Sequence, residues 1–115
     1  MISVVLPWPP SVNTYWRRVG SRTLISRAGR AYKIAVEAIA IAERMTPLLG
    51  RLAVEAYLYP PDRRRRDVDN SLKALLDALA GHAYLDDSQI DRIHLERRGV
   101  VPGGYVEVAV RVLEA

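Results

Sequence analysis

The sequence predicts an α+β fold: a single compact domain over residues 1–115, with a four-stranded mixed sheet and two helices in the order β-α-β-α-β-β. A chain of 115 residues is long enough for one core but too short for two good ones. Half of the residues are apolar, as in globular proteins. Apolar residues also recur with the spacing of a strand in some segments and of a helix in others.

The first predicted strand covers residues 2–6, a short run of residues that favour strands. It ends at the segment Pro7-Trp8-Pro9-Pro10, because proline cannot donate a backbone hydrogen bond to a sheet. Residues 11–25 show no clean period. We interpret them as a loop with room for a small hairpin near Gly20.

The first predicted helix begins after Ser26, a suitable N-cap, and reaches about Met45. Its apolar residues follow the helical spacing on more than one side, which indicates a largely buried helix. The next strand, Arg51–Tyr59, alternates as a half-buried strand does. Its inward residues are expected to be Leu52, Val54, Ala56 and Leu58.

The second predicted helix is short. Asp69 or Asn70 would cap it, and it runs to about Ala80, where Gly81 is well placed to end it. Its apolar stripe consists of Leu72, Leu75, Leu76 and Leu79.

Two strands are predicted at the end of the sequence, Ile90–Arg98 and Tyr105–Leu113. In the first strand, Ile93 and Leu95 would face inward. In the second, the inward residues would be Val106, Val108, Val110 and Val112. Residues 99–104 contain a proline and two adjacent glycines, which predicts a hairpin connection between the two strands.

The basic residues form two clusters, and the formal net charge is +4. From Met1 to Val36 there is no acidic residue. The cations of this segment are Arg17, Arg18, Arg22, Arg27, Arg30 and Lys33. The second cluster is the run Arg63–Arg66. Two such clusters suit a polyanion such as nucleic acid, although ordinary surface charge gives the same pattern in many basic domains.

Composition excludes several classes of function. With no cysteine, the chain has no disulfide, no thiolate zinc site and no cysteine nucleophile. We interpret His82 and His94 as structural or solvent-facing, so a metal site would be built from oxygen and would favour Mg²⁺ or Mn²⁺. We expect no organic cofactor, since there is no Gly-rich phosphate loop. We also expect a cytoplasmic protein without a membrane partner, because no apolar run approaches a membrane span and the N-terminus lacks a signal-peptide layout.

The candidate chemistry lies in residues 60–87, where basic and acidic side chains meet. The run Arg63–Arg66 must lie on the surface, since four arginines cannot be buried unpaired. In an extended segment, four side chains would share one side of the chain: Arg63, Arg65, Asp67 and Asp69. Lys73 follows four residues after Asp69, and the pair Asp86-Asp87 comes after the helix.

These residues suggest metal-dependent hydrolysis of a phosphodiester. Clustered carboxylates repel one another unless a cation lies between them, so Asp67 and Asp69 make sense chiefly as a cation site. A divalent ion can activate water and neutralise charge on a phosphate. Lys73 would stabilise the developing negative charge or assist proton transfer.

Each of these residues also has a purely structural interpretation. Asp69 could simply cap the helix, Lys73 could pair with Asp77, and Asp86-Asp87 could be ordinary turn residues. The aromatic pair Tyr15-Trp16, beside basic residues, could stack on bases or could plug the edge of the core. For this pair we favour the core.

Four segments together are recognisable. They are Leu6-Pro7-Trp8-Pro9-Pro10-Ser11-Val12-Asn13, then Ser26-Arg27-Ala28-Gly29-Arg30-Ala31-Tyr32-Lys33, then Pro61-Asp62-Arg63-Arg64-Arg65-Arg66-Asp67-Val68-Asp69-Asn70 with Lys73 and Asp77-Ala78-Leu79, and finally Leu85-Asp86-Asp87-Ser88-Gln89-Ile90. In this order they resemble the opening, the entry to the first helix, the main signature and the second acidic motif of the RusA family of Holliday-junction resolvases. The resemblance spans nearly the whole chain.

The resemblance implies an endodeoxyribonuclease of DNA recombination and repair, often encoded by phages or prophages. Such enzymes act as homodimers on four-way junctions and make paired, symmetry-related nicks with Mg²⁺ or Mn²⁺. The essential carboxylates map onto Asp67, Asp69 and Asp87, the essential lysine maps onto Lys73, and Asp86 is an auxiliary metal ligand. The expected DNA-binding residues are Arg63, Arg64, Arg65, Arg66, Arg17, Arg18, Arg27, Arg30 and Lys33.

Two other functions stay open at this point. One is a basic DNA-binding module without enzymatic activity, whose acids only cap helices and form turns. The other is a nuclease with the same chemistry that prefers flaps or replication forks.

Overall fold

The computed structural model describes residues 1–114, which form six strands, three α-helices and one 3-10 turn. The strands are β1 (Ile2–Pro7), β2 (Trp16–Val19), β3 (Arg22–Ile25), β4 (Leu52–Tyr59), β5 (Ile90–Arg97) and β6 (Tyr105–Val112). The helices are α1 (Val12–Tyr15), α2 (Arg27–Ala42) and α3 (Leu72–Leu79), and the 3-10 turn covers Asp87–Gln89. Within residues 1–114, no helix is long and apolar enough to cross a membrane.

The main sheet contains four strands in the order β1-β6-β4-β5, which confirms the predicted α+β class and mixed sheet. β6 is antiparallel to both β1 and β4, whereas β4 and β5 are parallel. A parallel pair needs a crossover connection, and α3 lies in that connection. The segment interpreted as a loop contains α1 and a separate antiparallel hairpin of β2 and β3, which turns at Gly20. The helices therefore number three in the described chain instead of the predicted two.

The predicted hairpin connection between the last two strands is wrong. β5 and β6 are not neighbours, because β4 lies between them. The connecting loop crosses the end of β4, where the backbone N–H of Arg98 donates to the Leu58 carbonyl at 2.8 Å. Residues 101–104 do form a tight turn, closed by a hydrogen bond from the Gly104 N–H to the Val101 carbonyl at 2.8 Å, but turn residues do not select the strand that the chain joins next.

The core lies between one face of the main sheet and the inner faces of α2 and α3. The prediction of which strand residues face the core is confirmed for β4, because Leu52, Val54, Ala56 and Leu58 are all buried. It is wrong for Ile93, which is 43% exposed on the edge strand β5. It is also wrong for Val112, which is 48% exposed because β1 pairs with β6 only as far as Val110.

The first residue of α2 follows Ser26, as predicted. The Ser26 hydroxyl accepts a hydrogen bond from the backbone N–H of Gly29 at 3.0 Å and so satisfies one of the free amides of the first turn. The helix ends before the predicted Met45, because Arg44 has a left-handed backbone with φ of 54°.

The predicted cap of α3 is wrong. The N-cap is Ser71 rather than Asp69 or Asn70, and its side chain makes no capping hydrogen bond. A backbone turn precedes the helix instead, in which the N–H of Leu72 donates to the Asp69 carbonyl at 3.1 Å. At the other end, Gly81 has φ of 86°, the left-handed conformation expected after a helix.

One side chain fastens the loop at residues 85–89, which leads into β5. Gln89 Oε1 accepts hydrogen bonds from two backbone N–H groups of this loop, at 2.9 Å and 3.1 Å. Gln89 Nε2 donates to the carbonyl groups of Leu48 and Gly50, at 3.0 Å and 3.1 Å. The backbone that carries Asp86-Asp87 is therefore tied to the segment before β4.

Replacement of Gln89 by alanine is expected to lower the free energy of unfolding by about 2 kcal/mol, since a hydrogen bond contributes about 1 kcal/mol net and water replaces some of those lost. Urea denaturation followed by tryptophan fluorescence measures the change. Thr46→Ala is the control, because Thr46 is exposed and its side chain makes no hydrogen bond within residues 1–114. A Gln89→Ala protein as stable as the control would contradict the fastening role.

Candidate active site

α3 presents Lys73 and Asp77 on its outer face, because its inner face is buried in the core. The inner residues are at most 2% exposed, namely Ala74, Leu75, Ala78 and Leu79. Lys73 and Asp77 are about one helical turn apart, and Lys73 Nζ lies 3.3 Å from Asp77 Oδ1. The pairing considered for Lys73 is therefore present.

Asp77 has a second partner in Tyr15, at the end of α1. The Tyr15 hydroxyl donates to Asp77 Oδ2 at 2.8 Å. Burial raises the pKa of Tyr15, as do this hydrogen bond and the charge of Asp77, so the hydroxyl keeps its proton. Tyr15 is fully buried, as we favoured, but Trp16 is 41% exposed. The Trp16 ring faces Lys73, whose Nζ lies 5.7 Å from the ring centre.

The acidic pair Asp86-Asp87 lies near α3, beside the buried Tyr84. Burial raises the pKa of Tyr84, and the negative charges of Asp87 and Asp77 raise it further. That hydroxyl donates to the carbonyl of Leu76 on α3 at 2.6 Å. Tyr84, two residues before Asp86, thus ties the start of this acidic loop to α3.

Asp67 and Asp69 lie at the other end of α3, in an exposed turn. The backbone N–H of Asn70 donates to the Asp67 carbonyl at 3.1 Å, so the chain turns here instead of remaining extended. The predicted alternation along residues 63–69 therefore does not continue as far as Asp69. Since α3 has only eight residues, and a helix rises about 1.5 Å per residue, its two ends are only about 12 Å apart.

The seven aspartates divide into two groups by their contacts. Four have protein partners: Asp62 with Arg64 and Arg66, Asp77 with Lys73 and Tyr15, Asp86 with the Ser88 amide, and Asp91 with Arg51. The carboxylates of the other three take part in none of the hydrogen bonds or ion pairs of residues 1–114: Asp67, Asp69 and Asp87. These three exposed carboxylates are free to bind a ligand.

The hydrogen bonds have the expected effect on the acids that are paired. The hydrogen bond from Arg66 holds the pKa of Asp62 below its usual value. The hydrogen bonds from Ser88 lower the pKa of Asp86 in the same way. These partners favour the charged form, so both groups are carboxylates at neutral pH.

The donor chemistry fits Mg²⁺ or Mn²⁺, because the acids in question supply only oxygen. In the described part of the chain, however, no three histidine or acidic side chains lie close enough together to hold a metal ion. Shared ligation by Asp67, Asp69 and Asp87 would therefore require their exposed side chains to move together. The ligand set, including Asp86, stays a prediction.

The two histidines have acidic neighbours. His82 Nε2 lies 3.9 Å from Glu37, and His94 Nε2 lies 3.4 Å from Glu96. These contacts agree with the interpretation of both as structural or solvent-facing residues.

The arginine run lies on the surface, and its members differ in their contacts. Arg63 and Arg65 are exposed, and their side chains make no hydrogen bond or ion pair with residues 1–114. Arg66 is half-buried, with Nη1 2.8 Å from Asp62. Arg64 also contacts Asp62, at 3.7 Å. Arg63 and Arg65 are therefore the members most available to an external anion.

A pocket of about 140 Å³ adjoins this run and includes Asp67 in its lining. One wall is Trp8, whose ring centre lies 5.7 Å from the Arg66 guanidinium group. Another is Arg97, which donates a hydrogen bond to the carbonyl of Arg66. A concave surface rich in arginine suits a phosphate group next to Asp67.

The other predicted DNA-binding residues lie on the hairpin and at the start of α2. Arg17 and Arg18 are exposed on β2, as are Arg27 and Arg30 on α2, while Lys33 is half-buried. Arg30 already has one protein partner, because its Nη1 donates to the Ile25 carbonyl at 2.9 Å. The hairpin and the first turns of α2 thus form a second basic surface.

Sequence reasoning missed several neighbours of these residues. Tyr15 lies 62 residues before its partner Asp77, so no local pattern could indicate the contact. Arg97 and Trp8 join the arginine run only through the fold. The helical spacing of Lys73 and Asp77 indicates that these two residues pair, but it does not indicate the hydrogen bond from Tyr15 to Asp77.

Comparisons with known proteins agree on one family. A family model described as "Endodeoxyribonuclease RusA" matches residues 7–111. The chain is 45% identical over 114 residues to the crossover junction endodeoxyribonuclease rusA of Enterobacteria phage HK97, covering 96% of this chain and 94% of the relative. It is 38% identical over 112 residues to the crossover junction endodeoxyribonuclease RusA of Escherichia coli strain K12, covering 94% and 92%. The corresponding protein of Enterobacteria phage 82 is 38% identical over 111 residues, covering 93% and 91%. Because these matches extend over nearly the whole chain, the protein belongs to the RusA family of endodeoxyribonucleases.

Proposed function

We propose that this chain is an endodeoxyribonuclease that resolves four-way DNA junctions by paired, symmetry-related nicks, in DNA recombination and repair. Family membership over residues 7–111 carries the proposal, since the relatives are named crossover junction endodeoxyribonucleases. Such an enzyme would act in the bacterial cytoplasm, and relatives in phages HK97 and 82 support a phage or prophage origin.

We also propose that cleavage depends on Mg²⁺ or Mn²⁺. Asp67, Asp69 and Asp87 would hold the ion, because a carboxylate without a protein partner has no ion pair to break first. Asp86 would be the auxiliary ligand. When bound, the ion supplies an activated water molecule and neutralises negative charge at the phosphate.

The chain's own cations would bind and orient the DNA. Arg63 and Arg65 would contact phosphates beside Asp67, because they have no partner within the described chain. The side chain of Lys73 is 43% exposed, so its ammonium group would be available to stabilise the negative charge that develops on the phosphate. No organic cofactor is needed for this chemistry.

We propose that the enzyme is a homodimer, which would give each of the two cut strands its own site. α2 offers a surface for the second copy. Ile34 and Ile41 are 70% and 69% exposed, and with Ala38 they lie on one face of the helix. Large apolar side chains that are exposed together on one face are typical of an interaction surface.

Asp67→Asn, Asp69→Asn and Asp87→Asn are each expected to abolish cleavage of a labelled four-way junction without loss of junction binding. Asparagine keeps the size of the side chain but removes the charge that a divalent cation needs. Gel assays of cleavage with Mg²⁺, Mn²⁺ or EDTA, and of binding without metal, measure the two properties. Asp91→Asn is the matched control, since that carboxylate is already paired with Arg51.

The outcomes of this assay separate the candidate functions. Retained cleavage would remove the mutated residue from the site. Binding of several junction sequences without cleavage, with Mg²⁺ and with Mn²⁺, would indicate a DNA-binding module. Faster cleavage of flaps or forks than of junctions would indicate a nuclease with the same chemistry and another preferred substrate.

Replacement of Arg63 and Arg65 by glutamine is expected to weaken junction binding and to flatten its salt dependence. Each phosphate contact contributes about 0.9 to the slope of log K against log salt concentration, so the double variant should lose up to about 1.8. Arg92→Gln with Arg111→Gln is the matched control, because both residues flank Ala53, on the sheet face opposite Leu52 and Val54. An unchanged slope would remove Arg63 and Arg65 from the DNA interface.

Sedimentation is expected to give the wild-type protein a mass of twice 12.9 kDa and the Ile34→Glu, Ile41→Glu double variant the mass of a monomer. Glutamate on both residues would place like charges across an apolar two-fold contact. Leu49→Glu is the control, since Leu49 is 68% exposed but lies outside α2. A monomeric wild type would contradict the homodimer, whereas a dimeric double variant would move the interface to another surface.

A further inference from the structure

Lys73 is held between two groups on the surface of the protein. Its Nζ lies 3.3 Å from Asp77 Oδ1 and 5.7 Å from the centre of the Trp16 ring. A cation is attracted to both a carboxylate and the face of an aromatic ring. The ammonium group therefore has a defined position, although the lysine side chain is flexible.

The carboxylate of Asp77 is itself anchored in the core. Its second oxygen accepts the hydrogen bond from Tyr15, which is fully buried. The Tyr15 ring packs on Gly29 of α2, where a Cβ atom would lie only 3.1 Å from it. An ordinary exposed pair on one helix holds its two members only weakly, whereas this pair is tied to a second helix through a buried phenol.

Asp69, four residues before Lys73, is an alternative partner for its ammonium group. Without Asp77, Lys73 would be free to pair with Asp69 and to occupy the oxygens that a divalent cation needs. Asp77 engages the ammonium group instead, and Asp77 is already committed to Tyr15.

We propose that Asp77 and Tyr15 are positioning residues for Lys73: they fix its ammonium group against Trp16 and keep it from pairing with the acids of the active site. This inference rests on the proposed function for its catalytic meaning. The positioning itself is a property of the metal-free protein and can be measured without cleavage.

Two variants separate the two contacts of Asp77, the ion pair with Lys73 and the hydrogen bond from Tyr15. Asp77→Asn removes the charge that holds Lys73 but keeps an oxygen that can accept from Tyr15. Tyr15→Phe keeps the negative charge of Asp77 and the buried aromatic ring. It removes only the hydroxyl group, and with it the hydrogen bond that anchors Asp77. Glu55→Gln and Tyr57→Phe are matched controls, because Tyr57 donates a hydrogen bond to Glu55 at 3.1 Å on β4.

The first measurement is NMR of lysine side chains in the metal-free protein. The sequence contains only two lysines, Lys33 and Lys73, so lysine labelled at Cε gives two assignable signals. The Trp16 ring should shift the Lys73 Hε signals upfield, and Trp16→Leu gives the unshifted value. Asp77→Asn and Tyr15→Phe should move the Lys73 signals toward that value, while the Lys33 signals and both control variants stay unchanged.

The second measurement is single-turnover cleavage of a four-way junction. Asp77→Asn should slow cleavage by about 10- to 100-fold, the usual effect of losing a partner that orients a functional group, without weakening junction binding. In a Lys73→Ala background the same substitution should have no further effect, because its target is gone. Tyr15→Phe should behave in the same way with a smaller loss.

Two results would overturn the proposal: Lys73 signals that do not move in either variant, or equal slowing by Asp77→Asn with and without Lys73. A wild-type protein that cleaves no DNA would refute the proposed function and leave the NMR measurement to decide the positioning. If Asp77→Asn fails to fold, as judged by its thermal midpoint, Tyr15→Phe carries both measurements alone.

Discussion

The burial of one face of α3 determines where the candidate active-site residues lie. Leu75 and Leu79 are fully buried, and truncating such a leucine to alanine typically costs 2–5 kcal/mol, whereas a helix-surface ion pair contributes about 0.3–0.5 kcal/mol. Packing therefore sets the rotation of the helix, and the Lys73–Asp77 pair follows from it. Since the helical repeat places Lys73 and Asp77 opposite these leucines, both side chains face outward.

Electrostatic pairing divides the acids into those that support the fold and those that are left for a ligand. Asp62, Asp86 and Asp91 each have a partner that lowers the pKa of the carboxyl group. The unpaired acids Asp67, Asp69 and Asp87 are exposed, and two charges 4 Å apart in water repel by only about 1 kcal/mol. Leaving them unpaired therefore costs the fold little. Their free oxygens are therefore available to the divalent cation that we propose for this site.

Burial and the start of an element could be predicted from the sequence where they depend on residues close by along the chain. Alternation predicted the buried face of β4, helical spacing predicted the burial of Leu75 and Leu79 on α3, and the local chemistry of Ser26 predicted the start of α2. Sequence-based prediction failed where burial or a contact depends on which distant segments lie side by side in the fold. Periodicity assigned Ile93 to the core, but β5 is an edge strand. The hydrogen bond from Tyr15 to Asp77 could not be predicted for the same reason.

Residues 15–18, where α1 passes directly into β2, join the basic surface of the hairpin to Lys73 and Asp77. The side chains of the neighbours Tyr15 and Trp16 lie in different environments. Tyr15 is buried in the core and donates to Asp77, whereas Trp16 stays at the surface and faces Lys73. Arg17 and Arg18, the next two residues, are exposed on the hairpin. DNA bound by these arginines would therefore lie one or two residues from the side chain that contacts Lys73. Because Tyr15 also anchors the acid that holds this lysine, Lys73 contacts the start of the hairpin in two ways, directly through Trp16 and indirectly through Asp77 and Tyr15.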